Sequence, residues 1–141
     1  MLLLLLAVLG ATVVLAPFVG RVLGRNAGWM LALPLLGAAV IGALAYVSPS
    51  AGDAHAETVV WIPSLNVDFA LRIDGLSVVF LMLVLLIGAG VLAYSARYLH
   101  DSKPSFYLLM CGFAAAMSTL VLTDNLVVFY IAWEMTTLCS F

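Results

Sequence analysis

The chain has 141 residues, of which 66% are hydrophobic and 9% are charged, and its mean hydropathy is +1.25. A soluble domain carries about 25% charged residues, so this composition predicts a membrane protein rather than a soluble one. The formal net charge of -2 excludes the basic surface that a nucleic-acid-binding protein needs.

Five apolar segments follow one another along the chain, each about as long as a helix that crosses a bilayer. Backbone polar groups must be satisfied inside lipid, so runs this continuous predict helices, and the alternation of a membrane β-strand is absent. We therefore predict an all-α membrane protein with about five transmembrane helices, forming a single membrane domain over residues 1–141. The predicted helices are residues 2–19, 27–47, 76–94, 106–122 and 125–141.

The first segment could be mistaken for a secretory signal peptide. No Lys or Arg precedes Arg21, however, and the apolar run is longer than the 7–15 residues of a signal peptide's apolar region. We interpret it as a retained membrane helix. Within the second segment, Pro34 is expected to kink the helix. Ala38 and Gly42 form a small-xxx-small pair that is compatible with close helix packing.

The long connection between the second and third segments, residues 48–75, is acidic. Residues 48–57 are small and polar and predict a loop. Residues 65–73 alternate between apolar and more polar side chains, which is a strand pattern with one polar face. With Pro63 and Ser64 as the turn, we predict a small β-hairpin on the extracytoplasmic membrane surface. The alternative is an irregular loop whose Trp61 and Phe69 enter the membrane interface.

The distribution of basic residues predicts the orientation of the chain. Four of the five Lys and Arg residues lie in the first and third connections: Arg21, Arg25, Arg97 and Lys103. The positive-inside rule puts these connections in the cytoplasm. The N-terminus, the acidic connection and the turn at Asp124 are then extracytoplasmic.

Glu134 is the charged residue of the last apolar segment, residues 125–141. On a helix it lies about 13 Å from the start of that segment, near the middle of a hydrocarbon core about 30 Å thick. A carboxylate at that depth costs at least about 2.5 kcal/mol unless it is paired, hydrated or protonated. This position predicts a proton or ion site. The alternative is a protonated Glu that only hydrogen-bonds a neighbouring helix.

Tyr130 and Thr137 lie on the helix face of Glu134 and could support it by donating hydrogen bonds. The apolar segments contain no Lys or Arg, so a cationic partner for the acid would come from outside this chain.

Other titratable residues favour structural roles. Asp124 and Asp74 are predicted helix caps. His100 and Asp101 could feed protons from the cytoplasm, although a solvated loop is the favoured interpretation, and His55 lies in the predicted loop. Cys111 and Cys139 are expected to be small apolar residues. We expect no metal site, no cofactor and no enzyme-type chemistry.

Three stretches carry a resemblance to a known family: DFALRIDGLSVVF (68–80), YSARYL (94–99) and TDNLVVFYIAWEMTTLCSF (123–141). They resemble the antiporter-like membrane subunits that are shared by respiratory complex I and Mrp-type multisubunit cation/proton antiporters. The ending WEMTTLCSF is most similar to the large A subunit of Mrp antiporters. Residues 1–60 match only in helix pattern and length.

The resemblance implies that Glu134 is the family's central proton-transfer glutamate. In the family this residue works with a lysine on a later helix, which this sequence does not contain. An outer β-hairpin and an outer N-terminus are also family features. Members carry many more helices, so we expect this chain to be the N-terminal portion of a larger subunit.

Three functions remain open at this point. The resemblance favours a proton-translocating part of a Na+/H+ antiporter in the plasma membrane, with other antiporter subunits, lipid, protons and Na+ as partners. The first alternative is a proton-pumping subunit of complex I or a related membrane hydrogenase, which would be a redox-driven translocase. The second is a structural or assembly subunit in which Glu134 makes a static hydrogen bond.

Overall fold

The computed structural model describes residues 1–48, 56–63, 67–98 and 104–141, except for the side chain of Arg25. These residues form five α-helices and a two-stranded sheet, and four of the helices are long and apolar enough to cross a membrane. The elements are α1 (Leu2–Leu23), a 3-10 turn (Gly24–Asn26), α2 (Ala27–Val47), β1 (Ala56–Ile62), β2 (Val67–Arg72), α3 (Gly75–Tyr98), α4 (Pro104–Leu122) and α5 (Leu126–Ser140).

This arrangement confirms the predicted fold class, five helices with a small hairpin between the second and third. The fifth helix is shorter and apolar. Pro34 lies inside α2, which continues on both sides of it. The predictions for His55, Ser64, His100 and Asp101 concern positions outside the described residues.

The first four helices close a ring. α1 packs against α2 and α4, and α3 packs against the same two helices. α5 packs mainly on the outside of α4. The core is therefore the interior of the α1–α4 bundle, and its largest fully buried side chains include Leu5, Leu9, Leu35, Leu81, Leu85, Leu92 and Tyr107.

Small residues bring α2 close to its neighbours. A Cβ placed on Gly28 would lie 2.1 Å from the carbonyl oxygen of Leu92, so the α2 and α3 backbones nearly touch there. At Gly42 a Cβ would lie 2.6 Å from Leu81 Cδ2, and Ala38 between the two glycines is fully buried. This agrees with the close packing that the Ala38–Gly42 spacing suggested.

The hairpin is an antiparallel pair in which Val59 faces Phe69, with an irregularity between Val60 and Ile62. Trp61 and Phe69 stack edge to face, with 6.4 Å between their ring centroids. The hairpin prediction is thus confirmed over the described strands, and the alternative of an irregular loop is wrong.

Two sets of hydrogen bonds fix the hairpin to the bundle. The Glu57 carboxylate of β1 accepts from the backbone N–H of Leu2 at 3.1 Å and of Leu3 at 2.9 Å, and it also pairs with the N-terminal ammonium. The carbonyl oxygen of Ala70 in β2 accepts from the backbone N–H of Asp124 at 2.9 Å and the hydroxyl of Thr123 at 3.3 Å. The start of α1, the hairpin and the α4–α5 turn therefore lie on the same side of the bundle.

Acidification is expected to release the hairpin from α1. Partial burial raises the pKa of Glu57, but the N-terminal ammonium and the amides of Leu3 and Leu2 outweigh it, so the net pKa is lowered. A carboxylate whose pKa is lowered by folding stabilises the fold above its unfolded value, about pH 4.3. That stabilisation is lost as the pH falls through the folded pKa.

The release can be followed by the fluorescence of Trp61 in a variant whose other two tryptophans are Phe. Below about pH 4.3 the signal should change, and Glu57→Gln should lack the acid transition because it has no proton to gain there. The pKa of Asp74 is also lowered, by the backbone N–H of Ser77, so Asp74→Asn is the control. A transition that disappears in Asp74→Asn and persists in Glu57→Gln would contradict the assignment.

Candidate functional site

The N-terminus of α5 is capped by Asn125. Its side-chain oxygen accepts from the N–H of Val127 at 2.8 Å and of Val128 at 3.4 Å. The prediction that Asp124 caps this helix is wrong, because its backbone N–H is bound to Ala70 of the hairpin and the capping geometry falls one residue later.

The corresponding prediction for α3 is confirmed. The carboxylate of Asp74, one residue before the helix, accepts from the N–H of Ser77 at 2.8 Å. α3 and α5 therefore each start with a side-chain cap, and the start of α5 is fixed in position.

Asn125→Ala is expected to destabilise the protein by about 1 kcal/mol, since it leaves the first amides of α5 without their side-chain acceptor. Thermal unfolding in detergent would measure the loss. The matched control is Asp124→Asn, which keeps the backbone bond to the hairpin and should change stability by less than about 0.5 kcal/mol. Equal losses in the two variants would argue against Asn125 as the cap.

Glu134 lies on the outer face of α5. The residues of α5 that are buried against the bundle are Val128 and Ala132, at 3% and 4% exposure, whereas Glu134 is exposed. It lies about 12 Å along the helix from Leu126, at about 1.5 Å per residue. The acid thus lies well inside an apolar helix and faces away from the other four.

Tyr130 and Thr137 share this exposed face with Glu134, one turn before and one turn after it. Tyr130 is 65% exposed. The structure therefore places the three predicted residues in one polar stripe, defined as Tyr130, Glu134 and Thr137. The stripe points out of the described bundle.

The threonine hydroxyls in the turn after the acid bind the helix backbone. Thr137 Oγ1 donates to the carbonyl of Trp133 at 3.3 Å, and Thr136 Oγ1 donates to the same carbonyl at 2.7 Å. The hydroxyl of Thr137 is thus directed to the backbone in this structure rather than to Glu134. Sequence reasoning missed Thr136 because it lies off the face of the acid; the adjacent threonine pair was the available signal.

A groove of about 390 Å³ runs along the other flank of α5. Its walls come from α1, the hairpin, α4 and α5, and they are almost wholly apolar. The hydroxyl of Thr119 in this groove donates to the carbonyl of Ala115 of its own helix. Glu134 does not line the groove, so the acid and this cavity are separate features.

The ends of the bundle differ in charge. Glu57, Asp68, Asp74 and Asp124 lie in or beside the hairpin or its attached turns, whereas Arg97 lies at the far end of α3, with its guanidinium 5.9 Å from the ring centroid of Trp29. No Lys or Arg occurs in the sequence of α4 or α5.

In the part of the chain that the structure describes, no three His, Cys, Asp or Glu residues cluster as metal ligands. Cys111 and Cys139 are free thiols.

Residues 61–108 match the family model described as NADH-ubiquinone oxidoreductase (complex I), chain 5 N-terminus. Among curated proteins, the chain is 39% identical over 133 residues to the A subunit of the Na(+)/H(+) antiporter of Alkalihalophilus pseudofirmus, covering 90% of this chain and 16% of that protein. It is 37% identical over 117 residues to the A1 subunit of the Na(+)/H(+) antiporter of Staphylococcus haemolyticus, covering 81% of this chain and 14% of that protein.

A solved structure shares the fold over nearly the whole chain. A chain of the Mrp complex from Dietzia sp. DQ12-45-1b superimposes with a TM-score of 0.88 and 44% identity, covering 99% of this chain and 15% of that chain. This chain therefore spans only about one sixth of the length of its relatives.

Proposed function

We propose, because this chain belongs to the antiporter-like membrane subunits, that it forms a proton-translocating part of a multisubunit Na+/H+ antiporter. In this proposal it is the N-terminal portion of a larger subunit, which assembles with other antiporter subunits in the plasma membrane. The antiporter names of its curated relatives support this choice of function.

The observation that carries the proposal is the polar stripe on α5. Against lipid, an exposed carboxylate at this depth would cost at least about 2.5 kcal/mol. In this proposal the stripe is covered by protein or by water held within protein, rather than holding a permanently protonated acid against lipid. We propose that further helices of the same subunit cover it and supply the lysine that pairs with Glu134.

Glu134 can carry protons because its surroundings decide its charge. In an apolar site the neutral carboxylic acid is favoured, whereas a nearby cation favours the carboxylate. If the lysine approaches and withdraws, Glu134 releases and takes up one proton in each cycle. Tyr130 and Thr137 lie beside the acid and can donate hydrogen bonds to the charged form.

The acidic end of the bundle, at the hairpin, indicates which side of the membrane it faces. The carboxylates of Glu57, Asp68 and Asp74 lie in or beside one outer layer, with Arg72 as the counter-charge. Such a layer raises the local concentration of cations such as Na+ and H+. We propose that this end and the N-terminus are extracytoplasmic, as the basic residues of the other connections suggest.

The second candidate is a proton-pumping subunit of complex I or a related membrane hydrogenase. It is favoured by the family model, which is described by complex I and matches residues 61–108. The subunits that copurify with the chain discriminate between the two: quinone-, flavin- and iron–sulfur-containing partners would favour the pump.

The proposal is tested by Na+-driven proton flux in vesicles that contain the intact complex, with Glu134→Gln as the decisive variant. Lost flux in a normally assembled complex supports a proton site. Normal flux would reduce Glu134 to a packing residue. A failure of assembly would favour the remaining alternative, a structural role in which the acid makes a static hydrogen bond.

A further inference from the structure

The carbonyl oxygen of Trp133 faces more hydrogen-bond donors than it has lone pairs to accept them. The hydroxyls of Thr136 and Thr137 donate to it at 2.7 Å and 3.3 Å. In a regular α-helix the same oxygen also accepts the backbone N–H four residues later. A carbonyl oxygen has two lone pairs, so three donors compete for two places. The hydroxyl of Thr137, at the longer distance, is the donor that is most easily released.

The two threonines differ in their position relative to Glu134. Thr137 is three residues after the acid, and side chains at this spacing are neighbours on a helix surface. Thr136 is two residues after the acid, so it does not face it, and it is also less exposed than Thr137. A threonine in a helix populates two side-chain rotamers, which gives Thr137 a second direction for its hydroxyl.

We propose that Thr136 is a positioning residue for Glu134: its hydroxyl holds the Trp133 carbonyl, which lets the Thr137 hydroxyl turn from that carbonyl to the ionised carboxylate. This inference rests on the proposed proton-transfer function. No covalent bond changes; one hydrogen bond of Thr137 is exchanged for another. The carboxylate gains a donor in the part of the cycle in which it is charged.

Without the hydroxyl of Thr136, the exchange becomes costly. The Thr137 hydroxyl then has no competing hydroxyl for the second lone pair of the Trp133 carbonyl, so turning away gives up a full hydrogen bond. Thr137 then stays on the backbone and the carboxylate lacks its donor. Thr136 therefore acts only through Thr137, and this dependence can be measured.

The experiment is a double-mutant cycle on Na+-driven proton flux in vesicles that contain the intact complex. Thr137→Val, which removes the donor, should lower the initial rate about tenfold, as expected for a lost hydrogen bond to a charged group. Thr136→Val should lower it about threefold. The double variant should be no slower than Thr137→Val, and Thr136→Ser should restore the wild-type rate because it keeps the hydroxyl.

The matched control is Thr119→Val on α4, which removes the same kind of backbone-directed hydroxyl bond, 2.9 Å to Ala115, away from the acid. Its flux should equal that of the wild type. Independent losses that multiply in the double variant would overturn the inference, as would a Thr136→Ser variant as slow as Thr136→Val. If Glu134→Gln abolishes flux and Thr136→Val does not change it, this inference alone fails; if Glu134→Gln keeps full flux, the proposed function fails.

Discussion

Glu134→Gln is expected to reduce Na+-driven proton flux to below about 1% of the wild-type rate, with normal assembly of the complex. Glutamine has nearly the shape of glutamate and keeps a hydrogen-bond acceptor and donors, but it cannot gain or lose a proton near neutral pH. Glu134 lies on the exposed face of α5, so the substitution leaves Val128 and Ala132, the buried residues of that helix, unchanged. Loss of flux would therefore reflect lost proton transfer.

The measurement uses a pH-sensitive dye inside vesicles, with an added Na+ gradient and with the amount of assembled complex determined for each variant. Asp124→Asn is the matched control, since it removes a carboxylate two residues before α5 that lies outside the helix. Its flux should stay within about twofold of the wild type, as expected for a surface substitution. Full flux in an assembled Glu134→Gln complex would remove Glu134 from the proton path.

Gly28→Ala is expected to destabilise the protein by about 3 kcal/mol, the upper end of the usual range for overpacking. The new methyl group would lie 2.1 Å from the carbonyl oxygen of Leu92 and 3.1 Å from both Ser95 Oγ and Ala96 Cβ. The first of these atoms belongs to the backbone and cannot move alone, so α2 and α3 must separate along their contact. The loss would appear as a lower unfolding temperature in detergent and a lower yield of folded protein.

Gly37→Ala provides the matched control in the same helix. A Cβ at Gly37 meets no atom within 4 Å, so the only change is the helix propensity of the residue. Alanine is favoured over glycine by about 1 kcal/mol inside a helix, which predicts equal or slightly higher stability. If both variants were equally stable, the close approach of α2 to α3 at Gly28 would be wrong.

The helices could be predicted from sequence because a helix that crosses the bilayer needs a long apolar run. The five apolar runs of this chain contain no Lys or Arg. The ends are less well determined. α3 was predicted to end at residue 94, yet it continues to Tyr98, whose ring stacks on that of Tyr94 at 5.5 Å. The hairpin was also predictable, since alternation in β2 leaves Val67 and Leu71 buried.

Contacts between distant segments could not be predicted in the same way. Nothing in the local sequence of Glu57 indicates that it binds the first amides of α1. Asp124 and Asn125 are both good capping residues, and the sequence alone does not show that α5 starts at Leu126 and is capped by Asn125. Likewise Gly28 looks like any glycine in a membrane helix until α3 is in place.

The candidate site was predicted in position but not in detail. Helical spacing alone places Tyr130, Glu134 and Thr137 on one face. It does not determine which side of α5 turns toward α4, because most of the helix is apolar around its whole circumference. Nor does it determine the direction of the Thr137 hydroxyl, which depends on competition for one carbonyl oxygen with Thr136.

The two attachments of the hairpin have a consequence for the order in which the chain folds. Glu57 binds Leu2 across 55 residues of sequence, and Thr123 binds Ala70 across 53. Contacts between distant residues form slowly, because the intervening chain must be ordered first. During synthesis the second attachment must also wait for residues that follow α4. The start of α5, and with it the position of Glu134 along the bundle, is therefore fixed only after the residues that follow α4 have been made.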